Sequence, residues 1–333
     1  MRRTRPLLTI LGVLLYILTY DISDVQGAPT PCAGKDVYPS QNLTKVAQNA
    51  SAGTTFCIHD GTYKISSPVV VQSGDTFVGL YGDGTRPAVT TTTAFHIFYA
   101  GQDPATAASG ATIKGLTVSG AVGNNQCEPD CGRGIGGGKN LTVENVRATN
   151  NLNQGIGGAL PGLVVRNSVL DHNGSYAFSR VDGGKSSAAG VKSVNSLTVI
   201  NSHIHHNWWN GVWCDEECNA LTVRNSRITD NGKSGIHYEW STGPTLITGN
   251  TIQRNGWNDA VPNRRGGLLV VDSTNADVHG NTFGGNFKNI GVEVVDFKDR
   301  EPATSNVSIH DNTMNGDLVV GCELPGASCA RNN

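Results

Sequence analysis

Aromatic residues make up only 6% of this 333-residue chain, charged residues only 16%, and the net charge is −2. So small a charge excludes the basic excess that phosphate backbones demand, so nucleic acid is not an expected partner. Sparse aromatics beside 42 glycines fit many short strands and tight turns better than a helical protein. Long apolar runs are missing too. The apolar run Leu7–Tyr20 is fourteen residues without a charge, short of the roughly 20 that a membrane helix needs.

That stretch follows Arg2, Arg3 and Arg5 and precedes Val25-Gln26-Gly27, which reads as a secretory signal peptide over 1–27. Its removal takes three Arg and two Asp and leaves a net charge of −3. A secreted, extracellular chain without a membrane span is expected. Eight cysteines fall as sequence neighbours: Cys32 and Cys57, Cys127 and Cys131, Cys214 and Cys218, Cys322 and Cys329. An even number in an exported chain favours disulfides, and these local pairs are the economical assignment. Zinc is the rival for the two C-x₃-C pairs, but no His or second Cys pair stands at finger spacing.

What the chain does have is repetition. Leu141–Asn145 (LTVEN), Leu163–Asn167 (LVVRN), Leu197–Asn201 (LTVIN) and Leu221–Asn225 (LTVRN) align, with weaker copies at Leu246–Asn250, Val278–Asn281 and Val307–Asn312. A second apolar position follows at Val169, Ile204, Ile228, Ile252, Phe283 and Met314. Next comes an asparagine column: Asn151, Asn173, Asn207, Asn231, Asn255 and Asn286. A third strand then opens with Gly and an apolar residue: Gly155-Ile156, Gly190-Val191, Gly211-Val212, Gly235-Ile236, Gly267-Leu268 and Gly291-Val292.

Three short strands per unit of about 22–24 residues describe one coil of a parallel β-helix, a solenoid of three sheets. Asn tolerates left-handed turns, and stacked amides can hydrogen-bond from coil to coil, so the Asn column is read as structural. Longer steps imply insertions near 174–189 and 256–266, besides a glycine-rich segment at 121–139. On a solenoid such insertions tend to line one face.

The repeats resemble the right-handed β-helix superfamily that includes pectate lyases, polygalacturonases and alginate or chondroitin lyases. The resemblance covers residues 54–317, behind a cap region at 28–53 and ahead of a tail at 318–333. Its first coil is similar to Gly53–Tyr63 and Gly74–Gly79. The resemblance, with the right-handed rule for parallel crossovers, implies the handedness.

Counting from each third-strand Gly, the first and third residues should face inward and the second and fourth outward. The second position reads Lys192, Trp213, His237, Leu269, Glu293, and the fourth reads Val194, Asp215, Glu239, Val271, Val295. Ile236 should therefore sit in the core, and His237, facing out, should matter little for stability. Coils stack about 4.8 Å apart, so Asp215 and Glu239 become neighbours on one face. Such a pair suits glycosidase chemistry or a Ca²⁺ site, with Glu216 and Glu217 as further ligands.

A narrower resemblance points to the same place. Bacterial β-helix proteins of undefined activity carry Gly-Gly-x-Lys, His-Asp-Asn, Gly-x-Trp-x-Asp and Gly-Ile-x-x-Glu-Ile-Ser. This chain is similar at Gly190–Lys192, His205–Asn207, Gly211–Asp215 and Gly235–Ser241, departing at His206 and Trp240. The match carries Lys192, His205, Trp213, Asp215 and Glu239 across. The polygalacturonase, pectate lyase and alginate epimerase signatures are absent. Gly136–Lys139 is no phosphate loop, because Asn140 and a strand follow.

All five tryptophans, Trp208, Trp209, Trp213, Trp240 and Trp257, fall on three consecutive coils. Adjacent Trp208 and Trp209 cannot both point inward, so at least one should be exposed for sugar stacking. The expected function is a polysaccharide lyase or glycoside hydrolase acting on an acidic glycan, the protein being a monomer. In a lyase, Lys192 or His237 removes the proton and a cation, or Arg180, Arg264 or Arg265, neutralises the uronate. In a hydrolase, Asp215 and Glu239 divide the acid and nucleophile roles. His205, Trp208, Trp213 and Glu293 would contact substrate. A non-catalytic carbohydrate-binding or adhesive surface protein is the alternative, and a purely structural solenoid the third reading.

Overall fold

Alternating apolar and polar residues over three to six positions, broken by Asn and Gly, make strands too short to bury a face alone. The computed structural model describes residues 31–81, 85–123, 131–158, 160–175, 187–258, 265–297, 301–321 and 327–329. The expected signal peptide, Cys127, Cys322, Arg180 and Arg264 lie outside them. Among the described residues, no helix is long and apolar enough to cross a membrane.

Parallel strands stack into three sheets of twelve, ten and ten. The first runs from Lys35–Val37 to Ala327–Cys329, the second from Thr62–Lys64 to Thr313–Asn315, and the third from Val69–Val70 to Leu318–Val320. The solenoid thus reaches beyond 54–317 at both ends. Strand Lys35–Val37 pairs with Thr55–Ile58, and Leu318–Val320 pairs with Ile290–Val295.

Inward columns of Val and Ile fill the axis. Val143, Val165, Val199, Val223, Ile247 and Val278 stand in register and are buried. Each buried Val or Ile contributes about 2 kcal/mol. A six-residue helix, Leu43–Gln48, lays Leu43 and Ala47 into the core near its N-terminal end, with Asn42 capping the Lys45 N–H at 3.0 Å.

Two repeats slip by one residue. Leu246 was expected to stack on Leu221, but Thr245 takes that place, because Gly249 (φ 67°) fills the left-handed turn position that Asn225 holds one coil earlier. Likewise Leu170, not Val169, packs inward against Ile204.

The asparagines divide their expected roles between two columns. Asn145, Asn167, Asn201 and Asn225, at the ends of first-sheet strands, take the left-handed turn (φ 49–52°). The column from Asn151 to Asn286 instead forms a buried ladder. Each amide donates to the next Oδ1, as Asn207 does to Asn231 at 2.9 Å and Asn231 to Asn255 at 3.0 Å. Asp317 ends the ladder, a position the sequence reading passed over.

Asn231 also donates to the Ile204 carbonyl, and its Oδ1 accepts the Asn207 backbone N–H. Asn231→Ala should lower stability by about 3 kcal/mol, since it deletes these bonds and orphans their partners. Chemical denaturation would show it, and a loss below about 1 kcal/mol would mean the ladder is not a major stabiliser.

Two of the expected disulfides lie within the described residues, Cys32–Cys57 and Cys214–Cys218. The second closes the turn carrying Asp215, Glu216 and Glu217, the two glutamates both left-handed.

Candidate active site

The segments around 120–132, 172–188 and 254–265 all leave the same corner, between a second-sheet strand and the next third-sheet strand. Lys192, Trp213 and His237 stand on consecutive strands, Ala189–Ser193, Asn210–Cys214 and Ser234–Glu239, in one register column. Leu269 and Glu293 continue it. The inward–outward alternation expected there holds, but outward does not mean exposed. Trp213 is 8% and His237 2% exposed.

Lys192 Nζ lies 2.7 Å from Asp215 Oδ2 and 3.7 Å from the centre of the Trp213 ring. From the next coil, His237 stacks on that ring at 5.4 Å. The indole is therefore held between an ammonium and an imidazole and cannot serve as a sugar platform, contrary to expectation. Its Nε1–H donates to Glu239 Oε2 at 3.2 Å.

The His237 tautomer follows from its neighbour. Asn210 accepts the Ser234 N–H through its oxygen at 3.2 Å, so its amide nitrogen faces His237 Nδ1 at 3.4 Å. Nδ1 is then the acceptor and Nε2 carries the proton. Nε2 lies 3.5 Å from Glu239 Oε2, and burial, then Lys233 and Lys192, hold the imidazole well below its usual pKa.

Glu239 is the unusual group. Burial, then the Asp215 charge, push its carboxyl up to about 7, against the pull of Lys233, Lys192 and the Trp213 hydrogen bond. The neighbouring residues in its register are apolar, Val271 and then Val295, which pack as a small cluster with Leu269. Among the described residues no donor reaches Glu239 Oε1. Asp215 Oδ1 is likewise buried without a partner.

Lys233 was missed. It sits two residues before Gly235, in a column with Trp209 and Arg265, whereas the sequence reading registered only positions after the glycine. Its ammonium stands 5.4 Å and 5.8 Å from the Trp209 and Trp213 rings. Burial lowers its pKa, while Glu239 and Asp215 raise it and Lys192 lowers it further. The sequence signal was there, a lone cation in the turn Asp230–Ser234.

Other expected members disperse. His205 lies on the second sheet, tilted at 37° against His203 and hydrogen-bonded to His206. Burial drives His203 to about 3 and His205 to about 4. Arg265 reaches the Asn258 carbonyl at 2.7 Å and covers the Phe287 ring. Glu293 stands two coils beyond His237, behind buried Leu269.

The side chains considered for Ca²⁺ are differently engaged. Lys192 already holds Asp215 Oδ2, and Glu216 and Glu217 point to solvent. Among the described residues the metal-ligating side chains converge elsewhere, at Asp277, His279 and His310.

Trp209 is buried and Trp208 half-buried. Trp209 packs with Ala188, Ala189 and Trp213, and Trp208 leans on that cluster. The open indole is Trp257, 47% exposed and edge-on to Trp208 at 5.6 Å. It walls a groove of about 440 Å³ with His206, Asp230, Arg254 and Phe287. Groove and buried cluster share the turn from Asp230 to Lys233.

A three-sheet parallel solenoid with a buried polar cluster on the outer side of its third sheet defines the class. The profile described as "Right handed beta helix region" matches residues 105–283 and 187–333, and the chain belongs to that family. No curated protein sequence matches it.

Several solved structures are similar in fold. The mannuronan C-5 epimerase AlgE4 A-module of Azotobacter vinelandii is 16% identical, with TM-score 0.54, 91% of this chain and 98% of that one being covered. The AlgE6 A-module of the same organism is 17% identical, with TM-score 0.52 and coverages of 86% and 91%. PfbA, a surface adhesin of Streptococcus pneumoniae, is 15% identical, with TM-score 0.58 and coverages of 86% and 78%.

Proposed function

We propose that this chain is an exported enzyme that cleaves an acidic polysaccharide by β-elimination: the proton beside a uronate carboxylate is removed, the C4–C5 double bond forms as the glycosidic C4–O bond breaks, and the leaving oxygen takes a proton from water. Glu239 is the base, and Lys233 is the cation that meets the uronate. The single observation that carries this reading is a carboxyl held to about 7 beside a carboxylate already paired with lysine. Two acids in environments that push their pKa values apart are the pattern of acid–base sites. A base is most effective with a pKa near the working pH.

Lys192 and His237, the bases expected from sequence, are better placed as supports. The first is committed to Asp215 and Trp213, and the second is buried against the Trp213 ring with its Nε2 3.5 Å from Glu239 and no hydrogen bond made there. Glu239 and Lys192 keep 13% and 14% of their side chains exposed, so substrate would approach past them. Two similar folds are named for mannuronan, a polyuronate, which fits this substrate class. The basic, apolar start of the chain and its disulfides support export.

Incubating the protein with a panel of polyuronates should raise the absorbance of unsaturated uronate on at least one. Hydrolysis without unsaturation would instead assign Asp215 and Glu239 the two glycosidase roles. Inertness on all of them would favour the second reading, a carbohydrate-binding surface protein.

That second reading rests on the exposed Trp257 face in its groove. Trp257→Ala should weaken glycan binding about tenfold, or about 1.4 kcal/mol, with little change in melting temperature. Calorimetric titration would check this, and unchanged affinity would remove the groove from recognition.

A further inference from the structure

The outer face of the first sheet carries a second constellation, far from the chemistry above. Strands Thr274–His279 and Ser305–His310 pair in parallel with His279 opposite His310. Residues two apart on a strand face the same way, so Asp277 shares that outer face with His279. The two imidazoles stack at 5.1 Å and 15°. His279 Nδ1 lies 3.0 Å and His310 Nε2 3.1 Å from the same atom, Asp277 Oδ1. One ligand atom from each of the three residues falls within 4.8 Å of the others.

We propose that Asp277, His279 and His310 bind a divalent transition-metal ion of the zinc class. In a tetrahedral shell with bonds of about 2.0–2.1 Å, donor atoms stand roughly 3.4 Å apart, close to the 3.0 Å and 3.1 Å that separate Asp277 Oδ1 from the two imidazole nitrogens. Two imidazoles and one carboxylate suit zinc, nickel or copper, whereas Ca²⁺ and Mg²⁺ ask for oxygen shells.

A separate observation points the same way. The far nitrogen of His310, Nδ1, lies 2.8 Å from Asp311 Oδ2. A carboxylate behind a ligand imidazole fixes its tautomer and turns the lone pair of the other nitrogen toward the metal. All three side chains are partly exposed, which leaves a coordination position open to water. His279 and His310 belong to successive coils, so the ion would staple the C-terminal end of the solenoid.

The test uses the full chain stripped by a chelator and titrated with Zn²⁺ in a calorimeter. One equivalent should bind, and Zn²⁺ should raise the melting temperature by mass action. His279→Ala and His310→Ala should each weaken binding at least about fiftyfold, and Asp311→Asn about tenfold, the range seen for outer-shell partners. Cu²⁺ loaded in place of Zn²⁺ should show two nitrogen couplings by electron paramagnetic resonance in the native chain and one in either His variant. If an Ala variant fails to fold, Asp311→Asn and the native Cu²⁺ spectrum decide. His205→Ala, in the second-sheet histidine cluster, should change nothing. No saturable binding, a Cu²⁺ spectrum without two nitrogens, or binding lost in His205→Ala but kept in His310→Ala would overturn the proposal.

Discussion

Glu239→Gln is expected to cut turnover on the cleaved glycan by about three orders of magnitude, roughly 4 kcal/mol in activation free energy, while making the protein more stable above neutral pH. Gln keeps the shape and still accepts the Trp213 N–H, but it cannot take the substrate proton. The stability gain has a definite sign. Folding raises this carboxyl from 4.5 to about 7. Between those values the folded state keeps a proton that the unfolded chain has released, so stability falls as pH rises through the window.

Above pH 7 the full penalty stands, about 3 kcal/mol from the shift alone and nearer 2 after solvent screening. Glu239→Gln should therefore melt several degrees higher than the native chain at pH 8 and about level with it near pH 4.5. The native rate should rise with pH and level off above 7 as the base ionises. His237 acts in the opposite direction. It stays neutral when folded, so the stability it supports is lost as pH falls below 6.5. Differences between variant and native chain isolate each group. Full activity in Glu239→Gln, or a pH-independent difference in melting, would remove Glu239 from the role of base. Asp215→Asn combined with Glu239→Gln should be little worse than the worse single change, because residues acting as one unit are not additive.

Ile236→Asp is expected to cost at least about 4 kcal/mol and to unravel the neighbouring coils, since an unpaired carboxylate would be buried in the axis. Ile236 is fully buried between Val212 and Leu268. His237→Ala, one residue on, was expected from its outward direction to be almost neutral. The stack on Trp213 and the near-complete burial change that expectation to a loss of about 2 kcal/mol, the scale of a truncated buried side chain. Thermal melts of the two variants should rank them in that order. Equal losses, or a native-like Ile236→Asp, would invert the strand register and displace Lys192, Asp215 and Glu239 together.

The architecture was legible because a solenoid writes itself as a period. The Asn column from Asn151 to Asn286 and the glycines from Gly155 to Gly291 recur with each coil, so stacking and the outward column followed from counting. Errors came where one residue type can serve two positions. Leu246 was aligned on Leu221 because Asn250 looked like the partner of Asn225, when Gly249 had taken the left-handed turn and Asn250 the position of Ser226.

The sequence by itself determined the fold, the two disulfides described and the meeting of Lys192, Trp213, Asp215, His237 and Glu239 on one face, because strand register is a local property repeated along the chain. Only the tertiary structure decided what that face is like. Direction along a strand says which side a residue occupies, not what lies over it. Packing of successive coils turned Trp213 from a platform into a wedge between Lys192 and His237, brought in Lys233 and desolvated Glu239. It also separated His205 from the cluster, since the corner after Asn207 sends the two strands to different sheets. Burial, and the proton affinity it sets, depends on side chains that several coils bring together, which no single strand's pattern records.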